Sequence, residues 1–245
     1  MFSELYAGGL FHYLNKTLQL TPEQFYGLFA AGLLLSAAVS YLLGSMNFAI
    51  IISRLFYHDD IRKYGSGNAG TTNMLRTYGK GAAIGTLLGD ILKTVFAVIF
   101  GSLTLGFANG GGNIAGFFCM MGHVFPCFSR FRGGKGVAAA AGVIILTNLN
   151  SPFGLLLIGV LVFIFFTIVI GTKFVSLASV ITMMIYPILQ NMLNPLPFNV
   201  LMAALTALVI AVRHIDNLKR IHAGTESKIS LKKTDKHKKD EPRDN

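Results

Sequence analysis

Apolar residues in this chain run in long blocks, and the polar residues gather between them. Seven blocks stand out, at 28–52, 82–104, 113–128, 137–149, 153–170, 175–193 and 198–212. A membrane-spanning helix takes about 20 apolar residues, so the pattern predicts an all-α polytopic membrane protein with about seven transmembrane helices. The third and fourth blocks are short, which implies tilt or polar ends buried in protein. Thr21-Pro22-Glu23-Gln24 reads as a capping box with Pro at the first helical position, so a helix is expected to start there and enter the first block. Three regions follow: an N-terminal extension at 1–27 with a short interfacial helix, a seven-span domain at 28–230, and a Lys-rich tail at 231–245 expected to be disordered near anionic lipid. Met1-Phe2-Ser3-Glu4 lacks the positive start of a signal peptide, so the first block is expected to be retained as its own insertion signal.

Composition agrees with this pattern. The 245 residues are 53% hydrophobic and 13% charged, with a mean hydropathy of +0.58, against about 25% charged in a soluble domain. The net charge of +10 is segregated, with ten Lys or Arg in 213–245 alone. The connections split into two sets. One set (55–80, 129–136, 171–174 and the tail) carries Arg62, Lys63, Arg76, Lys80, Arg130, Arg132, Lys135 and Lys173. The other (105–112, 150–152 and 194–197) has no Lys or Arg. Basic short loops stay in the cytoplasm, so the N-terminus is expected outside and the C-terminus inside. Charge separated from apolar runs fits a membrane protein with basic edges rather than a nucleic-acid binder. Cys119 and Cys127 match no metal or redox spacing and read as small hydrophobes.

Polar groups at membrane depth are costly, so the polar clusters mark candidate chemistry. There are four, all on the basic side. Ser45, Asn47 and Arg54 interrupt the end of the first block. Asp60 to Asn73, followed by Arg76 and Lys80, contains Gly65, Gly67 and Gly70 within six residues. It also carries Ser66, Asn68, Thr71, Thr72 and Asn73 as donors, a composition that makes an oxyanion nest. The ending Gly-Lys-Ser/Thr of a P-loop is absent. The third cluster runs from Gly122-His123 through Pro126 to Gly133-Gly134-Lys135-Gly136. Lys135, at the mouth of a block among glycines, reads as a substrate contact and Arg130 as a positive-inside anchor, while His123 fits helix-end packing equally well. The fourth, Arg213 to Glu226, sets His214 and Asn217 along one helical face. That face either flanks a ligand or lies on the membrane as a basic amphipathic helix. Asp90 and Lys93, one turn apart inside the second block, read as a structural ion pair.

Several chemistries find no support. There is no His-x-x-x-x-Asp, no Gly-x-Ser-x-Gly elbow, and only eleven acidic residues, so neither a metal site nor a cofactor is expected. A transporter of a phosphorylated metabolite is the alternative reading. It would place its site near mid-membrane between repeats, and no repeat is visible. A covalent acyl-enzyme on Ser45 would need His214 or His123 as base.

The run Gly65–Arg76, Gly122–Pro126 with Phe131–Gly136, and Arg213-His214 with Asn217 and Gly224-Thr225-Glu226 resembles the bacterial PlsY family of membrane acyl-phosphate:glycerol-3-phosphate acyltransferases. Gly44-Ser45 to Arg54 is similar to that family's first motif, and the resemblance spans about 28–230. Asn47, Ala69 and Thr94 stand where the family usually has Pro, Pro and Gly. The resemblance implies seven spans with the N-terminus outside, residence in the cell inner membrane, and a site facing the cytoplasm. It implies transfer of an acyl group from acyl phosphate to the 1-hydroxyl of glycerol 3-phosphate, giving lysophosphatidic acid for phospholipid biosynthesis. A functional link to an enzyme that makes acyl phosphate follows. Ser45, Arg54, Lys135, Ser176, His214 and Asn217 are implied as substrate-site residues. The glycine-rich loop is implied as the phosphate-binding part, with Gly133 and Gly134 beside Lys135.

Overall fold

The computed structural model describes residues 2–106 and 110–229, and these form eleven α-helices and two 3-10 turns. The helices are α1 (Phe2–Leu18), α2 (Pro22–Ser45), α3 (Phe48–Tyr57), α4 (Thr71–Tyr78), α5 (Lys80–Leu105), α6 (Gly111–Val124), α7 (Val137–Asn148), α8 (Gly154–Thr172), α9 (Val175–Leu193), α10 (Pro197–Arg213) and α11 (Ile215–His222). Each apolar block has a helix. The expected start of α2 is realised: Thr21 Oγ1 accepts from Gln24 N–H, and the Gln24 side chain accepts from Thr21 N–H.

The first block differs from its expectation, because it is two helices rather than one. Met46 and Asn47 are extended between α2 and α3, and Asn47 Oδ1 caps α3 by accepting from Ile50 N–H at 3.1 Å. Side-chain capping by Asn satisfies a donor that a continuous helix would have satisfied internally. That explains a polar residue inside an apolar run. Gly44 and Gly122 show where α2 crosses α6: a Cβ on either would run into the Cys119 or Tyr41 carbonyl of the other helix. Small residues let membrane helices approach this closely.

Four stretches are long and apolar enough to cross a membrane alone, namely α2 with α3, α5, α8 and α9. A fifth is added if α10 and α11, bent by 51°, count as one. Against the expectation of about seven, four or five stretches among the described residues have full spanning length. At 14 and 12 residues, α6 and α7 are about 21 and 18 Å long, short of the roughly 30 Å hydrocarbon thickness. Gly111 and Val124 at the ends of α6 and Asn148 at the end of α7 are buried. Large apolar side chains such as Leu34, Phe96, Phe163, Ile170 and Met192 face outward, as lipid-facing positions do. One core lies between α6, α7, α8, α9 and α10, around Met120, Ile144, Leu157, Met183 and Ile210. A second, around Ile50, Ile61 and Met74, holds the α3–α4 loop onto α5.

At the N-terminus, α1 kinks at Gly9, where a Cβ would meet the backbone at Leu105 and Gly106, and Phe11 packs on Gly32. The Lys-rich segment expected at 231–245 lies outside the described residues. The Asp90–Lys93 pair forms, at 2.9 Å and fully buried.

Candidate active site

Four helices begin at the same place, and none has a side-chain cap. These are α4 at Gly70–Thr71, α7 at Gly136–Val137, α9 at Phe174–Val175 and α11 at His214–Ile215. Each contributes residues to one cavity of about 770 Å³. The first N–H groups of a helix have no intrahelical partner and carry partial positive charge. Four such ends on one cavity therefore make its polar half an anion site before any side chain is counted.

Side chains add to this. Arg76, Lys135 and Arg220 line the cavity, and Glu226 reaches in from the segment after α11. Glu226 Oε1 accepts from Ser176 Oγ at 2.9 Å and from Asn217 Nδ2 at 2.7 Å, while Oε2 pairs with Arg220 Nε at 2.8 Å. Burial alone would raise the Glu226 pKa, but these bonds outweigh it and hold the carboxyl below its ordinary value. Asn217 Oδ1 in turn accepts from Lys135 Nζ at 2.5 Å. Arg76 donates to the Ser227 carbonyl at 2.7 Å, and its Nε is buried without a hydrogen-bond partner. Glu226 thus offsets Arg220, while Lys135 and Arg76 have no ion-pair partner of their own among the described residues. Burial pushes the Lys135 pKa down to about 8, Arg220, Arg76 and Arg213 push the same way, and Glu226 opposes them. A dianion placed here would relieve that repulsion.

The cavity's other half is apolar. Leu87, Ala141, Ile144, Ile145, Ile158, Leu161, Val162, Phe165, Phe166 and Met183 line it between α5, α7, α8 and α9. From Val137 to Ile145 the groove follows α7 for about 12 Å. The site therefore joins an anion-binding end to a hydrocarbon-binding groove.

Of the residues expected from sequence, Gly65, Ser66, Asn68, Gly70, Thr71, Thr72, Asn73, Arg76, Lys135, Ser176, His214 and Asn217 all line this cavity. Five lie outside its lining in this structure. The Ser45 hydroxyl is buried and used up, donating to the Tyr41 carbonyl at 2.9 Å and accepting from Cys127 N–H at 3.3 Å. Neither of these partners is an imidazole. Arg54 points to a separate surface hollow with His58, Asp59 and Lys63 and pairs with Asp60 at 3.0 Å. Gly67 sits at a left-handed turn of the loop, at φ +68°. Gly133 and Gly134 are packed on His123 and Pro126, where a Cβ would clash.

The glycine-rich loop is largely bound to itself. Asn73 Oδ1 accepts from Ser66 N–H at 3.0 Å, and its Nδ2 donates to the Ile61 and Tyr64 carbonyls at 3.2 and 3.0 Å. Asp60 accepts from Arg62 at 2.7 and 2.9 Å, which holds its carboxyl well below the usual range. Arg62 also reaches the Ser129 carbonyl at 3.0 Å, tying this loop to the α6–α7 connection. Sequence reasoning missed Glu226 and Arg220 as site residues. The available signal was a lone carboxylate in Gly224-Thr225-Glu226, within a segment otherwise rich in cations.

Comparison with known proteins bears on this site. Residues 34–224 match the family model described as glycerol-3-phosphate acyltransferase. A glycerol-3-phosphate acyltransferase of Aromatoleum aromaticum is 42% identical over 201 residues, covering 82% of this chain and 98% of the relative. One from Thermoanaerobacter sp. strain X514 is 39% identical over 202 residues, covering 81% and 96%. Two solved structures of PlsY (YgiH), an integral membrane glycerol 3-phosphate acyltransferase, are also similar. The glycerol 3-phosphate form has a TM-score of 0.74 at 29% identity, and the lysophosphatidic acid form 0.71 at 27%. Each alignment covers 81% of this chain and 96% of the other. With a family model matched over most of its length and a fold shared over 81% of it, the chain belongs to the PlsY family of membrane glycerol-3-phosphate acyltransferases.

Proposed function

We propose that this protein transfers an acyl group from acyl phosphate to the 1-hydroxyl of glycerol 3-phosphate, giving lysophosphatidic acid and phosphate. The observation that carries the reading is the single cavity with two ends: unneutralised Lys135 and Arg76 beside four helix N-termini, opening into an apolar groove. Acyl phosphate needs both ends at once, and glycerol 3-phosphate needs only the first. The relatives named as glycerol-3-phosphate acyltransferases support the acceptor, and the lysophosphatidic acid form of the similar structure supports the product.

Lys135 and His214 hold the phosphate of glycerol 3-phosphate. Arg76, with the N–H groups at the start of α4, holds the phosphate of the donor and polarises its carbonyl. The glycerol oxygen attacks that carbonyl carbon, the bond from carbonyl carbon to phosphate oxygen breaks, and the departing phosphate takes the hydroxyl proton. No protein nucleophile is required, because positioning two bound reactants can lower the barrier by about 7–11 kcal/mol. Asn217, fixed between Lys135 and Glu226, orients the ammonium. The acyl chain lies along α7 and α8. Assay of purified protein with palmitoyl phosphate, palmitoyl-CoA and palmitoyl-carrier protein tests the donor. Turnover with palmitoyl phosphate that persists in EDTA is expected, and equal turnover with palmitoyl-CoA refutes the assignment.

The site faces the cytoplasm of an inner membrane in this reading. The loops that meet at the cavity carry Arg62, Arg76, Lys135 and Lys173, and short basic loops stay inside. Single-Cys labelling, in a background lacking Cys119 and Cys127, is expected to reach Asn150 and Asn194 from outside but not Lys135 or His214. External labelling at Lys135 reverses the topology.

A further inference from the structure

Lys93 is buried, with 4% of its surface exposed, and takes no part in the proposed chemistry. Its ammonium lies within 3.0 Å of four groups: the Gly44 carbonyl (2.9 Å), the Met46 carbonyl (2.8 Å), Asp90 Oδ1 (2.9 Å) and His123 Nδ1 (3.0 Å). Asp90 Oδ1 is also 3.3 Å from His123 Nδ1. An isolated ion pair needs only its partner. This one also holds the two carbonyls flanking the α2–α3 break and the last turn of α6.

Each of those attachments leads to a different half of the anion site. Past the Met46 carbonyl stands Asn47, whose Nδ2 donates to the Ala69 carbonyl at 3.2 Å, in the middle of the glycine-rich loop. Past Lys93 on the other side, the His123 carbonyl accepts from Gly134 N–H at 3.1 Å, one residue before Lys135. The two halves touch there, since a Cβ on Gly134 would press on both His123 Nε2 and the Ala69 carbonyl. Asp90 and His123 themselves line the cavity.

From this connectivity we propose that Lys93, Asp90 and His123 are positioning residues that set the distance between the donor-phosphate loop and Lys135. The proposal rests on the two-substrate reading above and adds to it. Each subsite is built by its own residues, so losing the network leaves either ligand bound but misaligns the pair. A misplacement of about 1 Å can cost about 100-fold in rate.

The test uses His123→Ala, Asp90→Asn and Gly134→Ala. The third keeps every network residue but drives a methyl against His123 Nε2 and the Ala69 carbonyl, between the two loops. For each purified variant, kcat and both KM values are measured, with the binding stoichiometry of glycerol 3-phosphate. A partly unfolded preparation lowers that stoichiometry, whereas misalignment does not. The expected result is one site per chain as in the wild type, both KM values within about threefold, and kcat reduced about tenfold or more. The proposal is overturned if stoichiometry falls in step with rate, if KM alone rises, or if rates are unchanged. A wild type active only with another donor refutes the donor assignment instead, and the same comparison is then made with that donor.

Discussion

The loop between α3 and α4 and the cluster at the starts of α7, α9 and α11 look alike in sequence. Both combine cations, glycine and amide side chains. In the structure they use them differently. The loop's cations are mostly spent internally: Arg54 and Arg62 both pair with Asp60, and Asn73 gives all its bonds to the loop backbone. In the cluster, one carboxylate, Glu226, faces Lys135, Arg76 and Arg220. The lesson is that cations mark a ligand site where the fold gives several of them a single carboxylate. The same residue type builds scaffold where an acid is close.

Four measurements sharpen or break this contrast. Asn73→Ala strips partners from Ser66 N–H and from the Ile61 and Tyr64 carbonyls, all in the loop. A loss of about 3 kcal/mol in stability is expected, read from denaturant or thermal unfolding in detergent. A stable, fully active variant would mean that the loop does not depend on its internal bonds.

Lys135→Ala should do the reverse, with little change in stability. A charge-assisted contact of about 1.5–3 kcal/mol is lost, so kcat/KM for glycerol 3-phosphate falls about tenfold or more. Lys135→Arg should recover little, because a planar guanidinium does not fit where an ammonium meets the Asn217 carbonyl oxygen. Lys232→Ala, beyond the described residues, removes the same charge and is the control expected to be near neutral. Normal kinetics in correctly inserted Lys135→Ala would reduce Lys135 to a topology anchor.

The third measurement is pH dependence. Lys135 in the free protein has its pKa pushed down to about 8, chiefly by burial. It is charged below that pH and neutral above it, so kcat/KM should decline as pH rises through about 8. In Lys135→Arg that limb should vanish, since guanidinium stays charged. An alkaline limb that survives in Lys135→Arg would assign the titration to another group.

The smallest effects belong to Arg54→Ala and Ser45→Ala. Arg54 is an exposed ion-pair partner, and such pairs contribute about 0–1 kcal/mol. Ser45→Ala loses two backbone bonds, about 2 kcal/mol of stability. Activity within about threefold of wild type is expected for both. A hundredfold loss in either would return these residues to the site and erase the distinction between the two regions.

Much of this protein was legible in the chain itself. The apolar blocks, the division of the connections into a basic and an uncharged set, and the capping box at Thr21 needed no tertiary information. They reflect solvent preference and local hydrogen bonding, which act within a few residues. The glycine-rich loop, Lys135, His214 and Asn217 were also visible as polar groups at costly positions. What the chain did not reveal was which polar residues serve the fold. Asn47 reads as an anomaly until its cap on α3 and its bond to Ala69 are seen. Nor does the chain show that Ser45 meets Cys127, that Arg54 pairs with Asp60, or that Gly133 and Gly134 lie against His123. Glu226 was overlooked because its partners, Ser176 and Asn217, come from two other helices. Hydropathy is a property of each residue and survives in the linear order. The neutralisation of a charge depends on what lies within about 4 Å, and in this protein those neighbours are brought together only when α4, α7, α9 and α11 start from one place.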